Sequence, residues 1–74
     1  MAADKVTVQR DKGGLMILKQ GLSLYDVNGY ATTNKIAQSG AYKVFAERYI
    51  NGQQSLKLGT DLQWVAASMG AYYP

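Results

Sequence analysis

A chain of 74 residues has the length of one small domain, and 47% hydrophobic with 18% charged residues excludes a disordered segment. One proline and non-periodic glycine exclude collagen-like and proline-rich linkers, and no apolar run approaches the roughly 18 residues that span a bilayer. Zero cysteine and zero histidine exclude disulfides, thiolate zinc sites, cysteine nucleophiles and histidine general bases. In chain order, Met1–Lys5 lacks the long apolar core of a signal peptide. It reads as a lead-in to a single domain over 6–74. Val6-Thr7-Val8-Gln9-Arg10 alternates apolar and polar, the period of a half-buried strand. Asp11-Lys12-Gly13-Gly14 is turn chemistry, because glycine takes positive φ without steric penalty.

Leu15-Met16-Ile17-Leu18 is a short apolar run of strand length, and Leu22 and Leu24 alternate with Ser23 and Tyr25. Asp26-Val27-Asn28-Gly29 marks a turn, Asn-Gly being the strongest two-residue hairpin signal. Residues 30–41 are the least legible. Asn34 suits a helix cap and Thr32-Thr33 a strand, so the stretch reads as a loop with a short strand or single turn. From Ala41 to Ile50 two readings compete. A helix aligns Ala41, Phe45 and Tyr49 on one stripe. A strand puts Tyr42, Val44, Ala46 and Ile50 on one face, with Lys43, Phe45, Glu47 and Tyr49 on the other. Asn51-Gly52 and the alternating Gln54–Leu58 decide for the strand, since a hairpin needs strands on both sides of its turn. After the turn Gly59-Thr60-Asp61, Leu62–Ala67 reads as a short 3₁₀ turn passing into a closing strand. The tail Ser68–Pro74 carries Tyr72 and Tyr73, which either pack back or face a ligand. Short strands with turn signals every 8–12 residues predict a small all-β barrel.

The five carboxylates, Asp4, Asp11, Asp26, Glu47 and Asp61, form no recurring acidic pair. A domain this small struggles to hold both a core and a catalytic cleft. The composition therefore points away from an enzyme. The eight lysines and arginines are dispersed, giving +3. That charge favours polyanionic surfaces in general, whereas a nucleic-acid footprint is usually a dense patch.

Leu24-Tyr25-Asp26 with Gly29, Thr32-Thr33, Gly40 leading to Val44-Phe45, Ile50-Asn51-Gly52-Gln53, and Leu56-Lys57-Leu58-Gly59 through Gln63-Trp64-Val65-Ala66 occur in a familiar order. Over Leu22–Ala67 the chain resembles the bacterial SH3-type (SH3b) wall-binding modules, and among them the surface-layer-associated (SLAP-like) variety. It departs at Ser55-Leu56, where the family usually carries an aromatic, and after Ala67, where the pattern ends. The resemblance implies a small SH3-like barrel of five to seven short antiparallel strands. It implies a non-catalytic module without cofactor or membrane insertion. Such a module lies outside the cell and anchors a parent hydrolase, phage endolysin or surface protein to peptidoglycan stem peptide, glycan or wall polymer of a Gram-positive wall.

Six tyrosines and one tryptophan are a generous supply for stacking on sugar rings or gripping peptide backbone. Phe45 and Tyr42 read as core. Trp64 divides between core and ligand wall. The groove candidates are Tyr25, Tyr30, Tyr49 and Trp64, with Tyr72 as groove wall or C-terminal clasp. Glu47, beside Tyr49, is a candidate receiver for a stem-peptide amino group. Asp26, Asn28, Asn51 and Asp61 read as turn and cap residues. Two other functions remain open: a β-barrel nucleic-acid binder using basic charge with stacking aromatics, and a self-associating structural module of a phage or surface layer.

Overall fold

The computed structural model describes residues 6–74; the lead-in expected at 1–5 lies outside them. Among the described residues nine strands follow in order: β1 (Arg10–Asp11), β2 (Leu15–Leu18), β3 (Ser23–Tyr25), β4 (Ala31–Lys35), β5 (Gly40–Lys43), β6 (Ala46–Ile50), β7 (Gln53–Lys57), β8 (Trp64–Ala66) and β9 (Ala71–Tyr73). One 3₁₀ turn, Ala67–Met69, separates β8 from β9. All strand pairs are antiparallel and form two sheets, ordered β1-β6-β7-β8-β3-β4 and β5-β2-β9. Because β5 and β6 are halves of one ribbon in different sheets, the ribbon joins the two layers. The architecture is a small all-β, barrel-like domain of two antiparallel sheets.

The turns that make it are local chemistry. Asn51 and Gly52 take φ of 51° and 82° between Ile50 and Gln53, which pair across the hairpin. Two successive positive φ values define the turn that matches strand twist. At the other large turn, Asp26 Oδ1 accepts the N–H groups of Asn28 and Tyr30 at 2.9 and 3.0 Å. Asp26 N–H donates to the Tyr30 carbonyl at 2.9 Å. The carboxylate thus substitutes for backbone acceptors inside the turn, as short acidic side chains do. No helix forms at Lys35–Gln38; Ala31–Lys35 is strand instead.

Met16, Leu18, Leu24, Ile36, Val44, Leu56 and Val65 form the core between the sheets. Along β2 only the even positions enter it, while Leu15 and Ile17 face out. Tyr42, half-buried, packs against the core as expected and donates its hydroxyl to the Gln38 carbonyl.

Ribbon β5–β6 departs from simple alternation. The Phe45 N–H donates to the Lys57 carbonyl, yet Ala46 is the cross-strand partner of Lys57. Two residues thus oppose one, which is a β-bulge. Tyr42 and Val44 face the core before it. After it Ala46, Arg48 and Ile50 lie on the opposite side of the sheet from Leu56 and Val65. The single face expected for Tyr42, Val44, Ala46 and Ile50 is therefore split in two. Phe45, expected in the core, sits at this corner 49% exposed, with Lys43 Nζ 5.4 Å from its ring centre.

Two further expectations change. Residues 6–10 are exposed, with Val8 83% accessible. They run beside the β6 edge, with Val6 bridging Ile50 and the Thr7 N–H donating to the Tyr49 carbonyl. An edge segment with neither face covered gains nothing from its alternation. The 3₁₀ turn follows the closing strand β8 where it was expected to precede it, and its first residue has no side-chain cap to announce it.

Candidate functional site

The register of the six-stranded sheet collects one set of side chains on the face away from the core. Arg48 opposes Ser55, and Ser55 opposes Ala66. One row along, Ala46 opposes Lys57, Lys57 opposes Trp64, and Trp64 opposes Tyr25. Trp64 is 1% exposed although it lies outside the core cluster. Basic stems shield it. The Arg48 guanidinium carbon lies 4.6 Å from the indole centre and Lys57 Nζ lies 5.9 Å from it. Both are within the range of cation–π attraction.

Beside this layer opens a cleft of ≈ 400 Å³, a size that suits small ligands or a short extended segment. Tyr25, Ser55, Trp64 and Ala66 contribute its sheet side. Asn28 and Gly29 of the Asp26-held turn line it, as does Asn51 of the Asn-Gly hairpin, and the two turns approach each other where Gly29 faces the Ile50 side chain. Met69 of the 3₁₀ turn lines it as well. The two turns thus flank a sheet surface that carries Tyr25, with Trp64 sealed beneath its basic cover.

The electrostatics centre on Arg48, which is 91% shielded. Burial pulls its guanidinium below the ordinary value, and Asp61 and Asp26 partly offset that pull. An arginine starts so high that it remains a cation at neutral pH. Neither acid forms an ion pair with it. The one ion pair among the described residues joins Lys57 Nζ to Asp61 at 3.1 Å, and Asp26 is occupied by its turn. Arg48 Nε, Arg48 Nη2 and Trp64 Nε1 are buried without hydrogen-bond partners.

Of the candidates read from the sequence, the structure brings Tyr25 and Trp64 together in the cleft. Tyr30 is exposed at the end of the adjoining turn. Glu47 and Tyr49 lie on the other face of β6 from Arg48; Glu47 Oε1 accepts from Gln54 Nε2 at 2.8 Å. Tyr49 is exposed and opposite Gln54. Tyr72 is in the other sheet, opposite Met16, and its hydroxyl donates to the Gly13 carbonyl at 2.5 Å. That clasp returns the tail to the barrel. Arg48, Ser55 and Met69 escaped sequence reasoning. Arg48 had a signal, a cation on the otherwise apolar even-numbered face of its strand.

Among the described residues no group of three or more His, Cys, Asp or Glu gathers to hold a metal, and no helix is long and apolar enough to cross a membrane. Compared with known family models, curated proteins and solved structures, the chain matches none.

Proposed function

We propose that this domain is a non-catalytic binding module that holds an extended segment of a bacterial cell-wall polymer in the cleft between the Asp26–Gly29 and Asn51-Gly52 turns. The carrying observation is the cleft itself, an open trough lined by Tyr25 and by residues of both turns, with Trp64 sealed beneath. Aromatic-lined grooves of this shape suit extended peptides, whose backbone groups add hydrogen bonds. The order of sequence blocks that resembles SH3b modules supports the wall as the source of that peptide. A fold alone does not fix a ligand, so the wall reading draws on both observations together.

The test is a pull-down of the fluorescently tagged domain on bacterial sacculi, with and without removal of teichoic acid. Retention on bare peptidoglycan is the expected result. Loss upon stripping assigns the ligand to the anionic polymer, and no binding to any wall overturns the proposal.

A second reading, a self-associating structural module, is favoured by one observation. Leu15, Ile17 and Tyr73 are 47%, 41% and 60% exposed on neighbouring strands of the three-stranded sheet. Concentration-dependent light scattering separates it: a constant monomer mass removes it.

A further inference from the structure

Three buried N–H donors without partners are a costly arrangement, because each has lost water and gained nothing. All three belong to one stacked pair, Arg48 and Trp64. The two on the guanidinium, Nε and Nη2, share one edge of the planar group. That edge is the fork that matches the two oxygens of a carboxylate.

Arg48 does not itself line the cleft, but two of its neighbours do. Ser55, directly across from Arg48, and Trp64, whose ring Arg48 covers, both line it. The chain's own nearby carboxylates do not fill the fork. Asp61 is paired with Lys57 at 3.1 Å, and Asp26 Oδ1 holds two turn N–H groups. Glu47 is on the opposite face with Gln54.

We infer that Arg48 is a ligand-binding residue whose Nε/Nη2 fork receives a carboxylate carried by the peptide lying in the cleft. This inference rests on the cleft being the binding site. The fork is closed to solvent when the cleft is empty, so binding includes a shift of the long Arg48 side chain from the indole face toward Ser55. A buried arginine stacked on a tryptophan then acts as a sprung latch, satisfied only when an anionic oxygen pair arrives.

The experiment uses the whole chain and its single tryptophan. A synthetic wall stem peptide with free carboxylates, and the same peptide fully amidated, are titrated while Trp64 emission is followed. The acid form is expected to bind roughly tenfold or more tightly, the worth of a charge-assisted hydrogen-bond pair. Only the acid form shifts the emission, because only it draws Arg48 off the ring. Arg48→Gln, checked by circular dichroism for an intact fold, abolishes the discrimination. Arg48→Lys, which keeps charge but loses the fork, retains part of it.

Equal affinity for the two wild-type titrations overturns the carboxylate assignment and needs no variant to interpret. Displacement of the acid peptide by equimolar inorganic phosphate overturns it in favour of a phosphate site. If neither peptide binds while sacculi still retain the domain, this inference fails and wall binding stands. If sacculi are also unbound, both fail.

Discussion

Arg48 and Trp64 reach each other across an intervening strand. Arg48 comes from β6 and Trp64 from β8, with β7 between them, and their groups stack at 4.6 Å. The contact seals the indole from water and leaves Arg48 Nε, Arg48 Nη2 and Trp64 Nε1 unpaired. It stabilises packing and simultaneously stores an unmet hydrogen-bonding demand.

The two partners therefore differ in what their removal does. Trp64→Ala empties a fully buried site and is expected to cost about 3–5 kcal/mol, a large share of the stability of so small a domain. Arg48→Met keeps the stem and deletes unpaired donors along with the cation–π contact. It is expected to lie within about 1 kcal/mol of wild type. Urea unfolding of both variants checks the contrast, and a severe loss in Arg48→Met contradicts it.

Gly70 and Gly21 offer a second contrast. A Cβ at Gly70 collides with the Ile17 carbonyl oxygen, a backbone atom of the central strand β2. Gly70→Ala is expected to destabilise by about 2 kcal/mol or more. Gly21 has φ +91° but open space around it, so Gly21→Ala carries conformational strain alone, about 1–2 kcal/mol. Thermal melts rank the two; the reverse order refutes the steric argument.

Asp26 links fold to binding. Asp26→Ala removes the acceptor of two backbone N–H groups, with an expected loss of about 1–2 kcal/mol. The same change loosens the Asn28–Gly29 side of the cleft, so binding to sacculi is expected to weaken while the fold persists. Asp26→Asn keeps one acceptor oxygen and is expected to recover most of both. Equal binding in wild type and Asp26→Ala separates the turn from the site.

Salt distinguishes the wall reading from a nucleic-acid reading. Phosphate-driven binding with six to ten contacts loses about 10³–10⁵ in affinity between 50 and 200 mM salt. A single buried charge pair with aromatic contacts is screened far less. Retention on sacculi is expected to change only a few-fold across that interval, and a steep fall moves the assignment toward polyanion binding.

The parts of the fold legible in the sequence are those with local causes. Asn51-Gly52 and Asp26–Gly29 are turns because their residues accept positive φ or supply a nearby acceptor, whatever surrounds them. The Phe45–Ala46 bulge has no such mark. It arises where one ribbon leaves one sheet for the other, so Phe45 reads as core and is exposed. For the same reason Tyr49 reads as a neighbour of the cleft yet lies across the sheet from Arg48. Tyr25 was legible because it directly precedes the turn that walls the cleft. Arg48 required knowing how β6, β7 and β8 register.

The extra residue at the corner of the β5–β6 ribbon lets one continuous segment send Val44 into the core and Arg48 away from it. Deleting it would restore regular pairing beside Lys57, while the two-residue Asn51-Gly52 hairpin holds β6 and β7 in their present register. Arg48 would stay opposite Ser55, and the twist would fall on β5, whose Tyr42 and Val44 would lose their inward side. A chain one residue shorter at this joint is thus expected to melt earlier with its basic face unaltered.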